Sequence, residues 1–407
     1  VMRTSLAISN LAHGRWRTLV STSGVSLAIT LVFMQLGFLS AVAGTAVQIY
    51  DQLRFDVLLR SPDYFHFCDA RVIARSHLYR VASMPGVAAV RPLHVTLATW
   101  RIPSTVQTIE QGTAGGLRGL VAMAIDPDAN VFDLEEVERQ SGKLRNPEHL
   151  LIDRKTKGDD FGAADGRAFG DADVGREVEV WEKRFRIAGH FALGAGLAAN
   201  GSVLMSSAGY ARFFPGDPET NVNFGLVVLH DGVQPAAFCA RVKRALSGPG
   251  QGDADSTAVR PVAVLTRDEV RKLEMRRWLW NTPIGSIFLA GVLVALVVGS
   301  VVVYMVLSND VANHLGEYAT LKAMGYTDGY LRKVVMQQAL VMALLGYALS
   351  LACAECLYRV VGSMANIPLE MTWWIRGGVL ILSVVMCCVS GVATLSKLSK
   401  AQPADLF

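Results

Sequence analysis

The residues best equipped for chemistry lie in the stretch HLGEYATLKAMGY, His314–Tyr326, which separates two long apolar runs. The pattern predicts a short polar helix, and Gly325 is a natural stop at its C-terminal end. Such a helix could offer its polar side chains, Glu317, Tyr318, Thr320 and Lys322, to a partner protein. The Glu317 carboxylate would accept charge-assisted hydrogen bonds there. The alternative is a connector that rests on lipid, but anionic headgroups would repel its carboxylate.

Known catalytic and metal-binding patterns are missing from the sequence. It contains no G-x-x-x-x-G-K-[ST], G-x-S-x-G or H-E-x-x-H motif and no Cys/His spacing typical of zinc. Asp171 and Asp173 form a D-x-D pair, but the spacing of an EF-hand is absent, which favours a solvated loop over a calcium site. We therefore predict no catalytic residue, no cofactor-binding residue and no metal ligand in this chain.

Six cysteines occur, and their spacing does not form a disulfide framework. Cys353 and Cys356 have C-x-x-C spacing but lie inside an apolar run, where a cysteine behaves as a small apolar residue. Cys68 and Cys239 belong to the polar part of the chain. A disulfide between them stays open, because spacing alone cannot pair two cysteines.

The composition limits the class of protein that carries these residues. The chain has 407 residues and a net charge of +4. With 51% hydrophobic residues, it is too apolar for an ordinary soluble enzyme. No basic stripe indicates nucleic acid as a partner. Four segments are long enough to cross membrane lipid as helices: 19–47, 283–307, 334–361 and 374–395. The first is too long for the apolar region of a signal peptide, so we expect it to be retained.

Positive charge predicts the orientation of these spans. Lys and Arg residues cluster beside the ends that would share one side of the membrane: Arg3, Arg15, Arg17, Lys322, Arg332, Lys333, Lys397 and Lys400. The short loop 362–373 contains Glu370 and neither Lys nor Arg. The positive-inside rule then places an amphipathic N-terminal helix (1–18), the loop 308–333 and the tail 396–407 in the cytoplasm, and residues 48–277 outside.

The sequence pattern of the outer segment, 48–277, predicts an α/β domain with two lobes. Apolar and alternating stretches predict strands at 55–62, 88–101 and 223–232 and a hairpin at 176–191 that turns near Glu182-Lys183. Amphipathic stretches predict helices at 74–87 and 234–246. The Gly- and Asp-rich segment Lys155–Asp173 is predicted to be a loop in the distal lobe.

Few polar residues interrupt the spans, which argues against an ion-coupled carrier with a site at the membrane midplane. Gln35 is the main polar residue of the first span. Glu355 and Arg359 lie four residues apart, which favours a mutually satisfied ion pair over a proton relay. Small residues recur every four positions along the second span and predict a helix-packing face, either a dimer seam or a contact with span 1 or 3: Gly291, Ala295 and Gly299.

The stretch DVANHLGEYATLKAMGYTDGYL resembles the cytoplasmic loop of FtsX/MacB-type ABC transporter permeases, in which an acidic residue precedes an LKAMG-like run. Residues 282–326 resemble the DevC branch, the permeases of DevBCA-type exporters. Residues 6–38 resemble the N-terminal helix and first span of that branch, and the ending PADLF is similar as well. The resemblance covers both membrane parts and their order, and it extends to residues 48–277 only in general character.

This resemblance implies a fold of four transmembrane α-helices with a large α/β periplasmic domain between helices 1 and 2, in a homodimer of the bacterial inner membrane. It implies a type VII, mechanotransmission exporter without an ATPase site of its own, so that ATP and magnesium would be bound by a DevA-like subunit. That subunit would dock on a coupling helix formed by Leu315, Gly316, Glu317, Tyr318, Ala319, Thr320, Leu321, Lys322, Ala323, Met324 and Gly325.

A DevB-like membrane-fusion adaptor and a TolC-like outer-membrane channel would complete the assembly that the resemblance implies. Two alternatives share the same spans and loop. One is an FtsX-like regulator of a periplasmic hydrolase, and the other is a lipoprotein-releasing permease of the LolC/LolE kind.

Overall fold

The computed structural model describes residues 15–194, 199–212, 218–246, 261–313, 316, 320, 324, 328–365 and 369–398. The chain divides into two compact units. We call residues 1–44 and 278–407 the helical unit, and residues 45–277 the α/β unit.

Four long helices dominate the helical unit, and the first of them continues past its boundary. They are α1 (Arg15–Asp51), α9 (Pro283–Asn313), α10 (Asp328–Ala365) and α11 (Trp373–Leu398). Each contains a stretch long and apolar enough to cross a membrane: Thr22–Asp51, Pro283–Asn313, Lys333–Gly362 and Trp373–Thr394. These stretches include the four spans expected from the sequence, apart from three residues at the start of the first and one at the end of the last.

The helices of this unit are apolar on their outward faces as well as in their core. Val25, Phe33 and Ala343 are buried between helices, while Val294 and Val297 on α9 are exposed. A helix that is apolar all round suits hydrocarbon surroundings better than water. Composition and burial therefore both favour a lipid environment for this unit.

The α/β unit is built on a nine-stranded sheet with the order β11-β1-β10-β3-β4-β8-β5-β7-β6. The strands are β1 (Val57–Arg60), β2 (Ile73–Ala74), β3 (Val87–Arg101), β4 (Leu117–Ile125), β5 (His149–Asp153), β6 (Glu177–Val180), β7 (Lys183–Phe191), β8 (Ser202–Ser206), β9 (Asn221–Val222), β10 (Phe224–Leu229) and β11 (Ala263–Thr266). Strands β2 and β9 form a separate small sheet.

Within the described residues of the α/β unit, seven α-helices accompany these strands. They are α2 (Ser76–Ala82), α3 (Val106–Glu110), α4 (Glu135–Gln140), α5 (Gly158–Phe161), α6 (Ser207–Ala211), α7 (Pro235–Leu246) and α8 (Arg267–Trp280). Helix α8 leaves the sheet directly after β11 and crosses the boundary between the two units. It is therefore the element through which the chain passes from the α/β unit to α9.

Strand β3 joins two parts of the sheet. Its first half, up to Leu93, pairs with β10, and its second half, from His94, pairs with β4. Strand β6 also pairs with the end of β3, at Trp100, so β3, β4, β8, β5, β7 and β6 close into a ring. We call this ring the closed part, and the strands β11, β1, β10 and the first half of β3 the open part.

Each part has an apolar core of its own, and a third apolar core contains residues of both parts. In the open part, α2 and α7 cover one face of the sheet through buried residues such as Leu78 and Phe238, and Val270 of α8 packs in the core on the opposite face. Inside the closed part, Trp100 is fully buried and its Nε1 donates to the Phe161 carbonyl at 3.0 Å. Burial of a tryptophan with its N–H satisfied is a large contribution to a local core.

The element predictions for this unit are confirmed with shifted ends. The predicted strands correspond to β1, β3 and β10, the hairpin to β6 and β7, and the helices to α2 and α7. The hairpin turn lies at Trp181-Glu182, one residue earlier than predicted, and both residues have positive φ, as two-residue hairpin turns require. The segment Lys155–Asp173 contains α5 and a short 3₁₀ turn, so the prediction of a plain loop was wrong in part.

Candidate functional site

Three residues of the predicted coupling helix are described. Gly316 and Thr320 are helical, and Met324 follows in a turn. The Thr320 hydroxyl donates to the Gly316 carbonyl at 2.8 Å, and the Met324 amide donates to the Thr320 carbonyl at 3.0 Å. All three residues are exposed. The other predicted members lie outside the described residues, and their role stays a prediction: Leu315, Glu317, Tyr318, Ala319, Leu321, Lys322, Ala323 and Gly325.

The small-residue face of α9 lies against other helices of the same chain. A Cβ at Gly291 would lie 2.5 Å from Gln35 Oε1 of α1. A Cβ at Gly299 would lie 2.5 Å from Met386 Sδ of α11. Ala295, between the two glycines, is buried. This face therefore seats Gln35 of the first predicted span and Met386 of the fourth.

Polar groups inside the helical unit join one helix to another. The Tyr358 hydroxyl of α10 donates to the Phe33 carbonyl of α1, and Gly37 leaves the space that the phenol occupies. The Ser390 hydroxyl of α11 donates to the Ser300 carbonyl of α9 at 2.8 Å. Such bonds satisfy polar groups where lipid offers no partner.

Glu355 and Arg359 form the ion pair that their spacing predicted. Arg359 Nη2 lies 3.1 Å from Glu355 Oε1, on consecutive turns of α10. The arginine side chain is largely exposed and the glutamate is partly exposed. The pair lies near the C-terminal end of the apolar stretch Lys333–Gly362.

The aspartates of the D-x-D pair bind different groups. Asp173 is buried and accepts hydrogen bonds from the amides of Ala164 and Gly170 at 2.8 and 3.1 Å, besides pairing with Arg176. Asp171 Oδ1 lies 2.9 Å from His190 Nε2. Within the described parts of the chain, no group of three or more His, Cys, Asp or Glu residues could hold a metal ion. The geometry therefore favours a structural role for Asp173 over a calcium site.

Cys68 and Cys239 are free thiols in separate cores of the α/β unit. Burial raises the pKa of Cys68 to about 12 and that of Cys239 to about 11, the latter with help from the charge of Glu269. Both thiols are protonated at neutral pH, which makes them poor nucleophiles. The alternative of a disulfide between them is not realised in this structure.

A buried ion pair and a buried carboxylate were not predicted from the sequence. Arg60 Nη1 lies 2.9 Å from Glu274 Oε1, and their side chains are only 6% and 1% exposed. Asp153, at the end of β5, is fully buried. The only available signal for the first was that the apolar strand VLLR ends in a charge. Nothing in the sequence indicates its partner, which lies 214 residues further along the chain.

The C-terminal part of the chain matches a known protein family. Residues 289–403 match the family described as FtsX-like permease C-terminal. The matched range begins inside α9 and includes α10, α11 and the stretch His314–Tyr326. No curated protein matches the chain in sequence.

The solved structures that are similar to part of the chain include two crystal structures of low sequence identity. One is the periplasmic region of MacB from Actinobacillus actinomycetemcomitans, with 10% identity and a TM-score of 0.35, covering 55% of this chain and 94% of that one. The other is the extracellular domain of the noncanonic ABC-type transporter YknZ from Gram-positive bacteria, with 11% identity and a TM-score of 0.33, covering 52% of this chain and 99% of that one.

Proposed function

We propose that this chain is the transmembrane permease subunit of an ABC-type exporter that works by mechanotransmission. The observation that carries the proposal is the match of residues 289–403 to the FtsX-like permease family. Permeases of that family are transmembrane subunits of ABC transporters. The four helices long and apolar enough to cross a membrane support the same assignment.

ATP binding and hydrolysis belong to a separate, DevA-like subunit in this proposal. The sequence contains no Gly-rich phosphate loop with its lysine, which an ABC ATPase needs to hold ATP and magnesium. The purified chain should therefore neither bind nor hydrolyse ATP. ATP turnover by preparations free of contaminating ATPase would contradict the proposal.

The chain is proposed to act as a homodimer in the bacterial inner membrane, with both termini cytoplasmic and the α/β unit periplasmic. The distribution of Lys and Arg over the short loops supports this orientation. A DevB-like adaptor and a TolC-like outer-membrane channel would extend the export route. Movement of the α/β unit, driven by the ATPase, would then drive export, and the spans themselves would not carry the cargo.

The coupling helix supplies the decisive experiment. We propose that Glu317 accepts hydrogen bonds from basic or backbone donors in a groove of the ATPase, and that the small side chain of Ala323 lets the helix seat deeply. Glu317→Lys should leave the chain folded and inserted but weaken ATPase binding by about 10- to 100-fold, the loss typical of a charge-assisted hydrogen bond. Ala323→Trp should prevent seating by its size.

The measurements are copurification of the ATPase with the full chain and stimulation of its ATP hydrolysis. The matched control is Glu370→Lys, which makes the same charge change at an exposed residue before α11 and should leave both readouts unchanged. If Glu317→Lys and Ala323→Trp both keep full ATPase binding, the stretch is a connector that rests on lipid.

Dependence on the outer-membrane channel tests the role of the assembly. Export through an adaptor and a TolC-like channel should stop when the channel is deleted. An FtsX-like regulator of a periplasmic hydrolase, or a LolC/LolE-like permease, should keep its function in the same deletion strain. Copurification of a membrane-fusion adaptor with the chain would support the exporter.

A further inference from the structure

Helix α8 presents one charged face within the α/β unit. Residues 267, 270, 271, 274 and 277 recur at intervals of three and four, so they share one side of the helix. A capping box fixes the start of this helix: Glu269 Oε2 accepts from the Thr266 amide at 2.8 Å, and the Thr266 hydroxyl accepts from the Glu269 amide at 3.3 Å. The charged face is therefore held in a defined register to β11.

Arg267, in the first turn of α8, binds the C-terminal end of α1 and the chain that follows it. Its guanidinium donates to the carbonyls of Tyr50, at 3.4 Å, Phe55, at 3.0 Å, and Leu53. It also lies 4.5 Å from the centre of the Phe55 ring. A cation at the C-terminal end of a helix satisfies carbonyls that lack intrahelical partners and complements the helix dipole.

Two ion pairs continue this contact along α8. Arg271 pairs with Asp51, the last residue of α1, at a partly exposed position. One turn further, Glu274 pairs with Arg60, the last residue of β1, and this pair is almost completely buried. Removing one partner of a buried pair leaves a charge in a poorly solvated site, so the two residues depend on each other.

Aromatic rings enclose the buried pair. The Arg60 guanidinium lies 3.8 Å from the centre of the Tyr64 ring, and that of Arg277 lies 4.8 Å from it. The Tyr64 hydroxyl shares a hydrogen bond of 2.7 Å with the hydroxyl of Tyr50. Burial raises the pKa of Tyr64, so its hydroxyl stays neutral and the cations meet an uncharged ring.

We infer that this face of α8 is a mechanical joint that makes the segments 50–64 and 267–277 move as one rigid body, with Arg60 and Glu274 as its central pair. The purpose of this joint, though not its existence, rests on the proposed function. Helix α1 is continuous from Arg15 to Asp51, and α8 ends at Trp280 just before α9 begins at Pro283. Both segments are thus direct continuations of apolar helices that the ATPase cycle would displace.

Strand β1 connects the joint to the rest of the sheet. Strand β1 pairs with β10 on one side and with β11 on the other, so the Arg60–Glu274 pair connects α8 to the middle of the open part. A displacement of either segment would reach β1 and β11 together. If the joint were loose, the same displacement would be lost in relative movement of the two segments.

Hydrogen exchange of the full chain in detergent, without the ATPase, tests the joint itself. Glu274→Gln keeps the size of the side chain but leaves Arg60 without its carboxylate. We expect amides in residues 50–64 to exchange about 100-fold faster, although the substitution is far away in sequence. The matched control is Glu177→Gln, which removes the carboxylate of an exposed pair with Arg186 and should leave residues 50–64 unchanged.

A milder variant distinguishes local loss of the joint from general unfolding of the α/β unit. Arg271→Gln breaks only the partly exposed pair with Asp51 and should speed exchange in 50–64 and 267–277 by a smaller factor, while β4 and β5 in the closed part keep their protection. The joint is refuted if either variant speeds exchange within 267–277 alone and leaves 50–64 as protected as in the unsubstituted chain.

The same measurement with the ATPase that copurifies with the chain separates the joint from the proposed function. With ATP and magnesium, exchange in 50–64 and 267–277 should change together in the unsubstituted chain. In Glu274→Gln, ATP hydrolysis should continue while the two segments respond separately. If the unsubstituted complex shows no response to ATP, the proposed function fails, whereas the result without ATPase still decides whether the joint exists.

Discussion

The α8 joint and the closed part of the α/β unit each bury a carboxylate, but they satisfy it differently. Glu274 in the joint meets the cation of Arg60 at 2.9 Å. Asp153 in the closed part accepts hydrogen bonds from uncharged donors: the amides of Lys155, Leu193 and Gly194 and the hydroxyl of Ser202. The first carboxylate connects segments that are distant in sequence, and the second organises loops around one end of β5.

The difference predicts different tolerance to change. A site of uncharged donors tolerates a protonated carboxyl or an amide in place of the carboxylate at moderate cost, because no opposite charge is left unpaired. A buried cation does not, because loss of its carboxylate partner leaves its desolvation largely uncompensated. The joint should therefore be intolerant of single substitutions and the Asp153 site comparatively tolerant.

The largest effect is expected at the buried pair. Glu274→Met should lower the free energy of unfolding of the α/β unit by about 3–5 kcal/mol, because Arg60 stays buried and unpaired. Arg60→Met combined with Glu274→Met should cost much less, since neither charge remains. Urea-dependent pulse proteolysis of the full chain in detergent measures both. Additive losses in the double variant would show that the two residues do not act as a pair.

A smaller effect is expected at Asp153. Asp153→Asn retains an oxygen that can accept from the amides of Lys155 and Leu193. Its new amide group can donate to the Ser202 hydroxyl but leaves the Gly194 amide without an acceptor. The loss should be about 1–3 kcal/mol, as for a rearranged buried hydrogen-bond network. The same proteolysis experiment checks it. A loss as large as that of Glu274→Met would remove the distinction between the two carboxylates.

The pH dependence of the free energy of unfolding gives a second test of the Asp153 site. Burial is the main cause that raises the pKa of Asp153 above its ordinary value of 3.8, and the hydrogen bonds from Lys155, Gly194, Ser202 and Leu193 oppose it. A raised pKa in the folded state gives a stabilising contribution that is complete below 3.8 and is lost as the pH rises through the folded-state value.

Asp153→Asn lacks this titration. Its stability relative to the unsubstituted chain should therefore improve as the pH rises from about 4 to 7. Midpoints of urea-dependent proteolysis over this pH range provide the measurement. A difference that grows in favour of the unsubstituted chain at higher pH would mean that the hydrogen bonds outweigh burial.

The smallest effect is expected at an exposed ion pair. Arg54 Nη2 lies 3.0 Å from Asp133 Oδ1, and the aspartate side chain is 68% exposed. Asp133→Asn should change the free energy of unfolding by only about 0.2–1 kcal/mol, and the change should shrink further in high salt. A loss comparable to that at Glu274 would show that burial does not decide the strength of these pairs.

The elements themselves were predictable from local patterns. Long apolar runs placed the four helices, shorter apolar stretches placed β1 and β3, and alternation placed the hairpin of β6 and β7. These signals are local, because buried side chains recur every two residues along a strand and every three to four residues along a helix. The predicted ion pair of Glu355 and Arg359 belongs to the same class, since residues four apart on a helix must be neighbours.

The candidate site was predictable only where its signal was local. The motif around Glu317 was recognisable as a sequence, whereas the contacts of Gly291 and Gly299 were not. Small residues at intervals of four indicate that a helix can be approached closely, but they do not identify the neighbour. That Gln35 and Met386 occupy these positions depends on how four helices pack together.

Local sequence patterns account for the apolar spans, the alternation in the β6–β7 hairpin and the absence of a phosphate-binding motif. No local pattern indicates that β3 pairs in both the open and the closed part, that β6 returns to Trp100, or that Arg60 meets Glu274. Local propensity acts over a few residues, whereas these contacts require the chain to close long loops. Their geometry is therefore set by the packing of the whole unit.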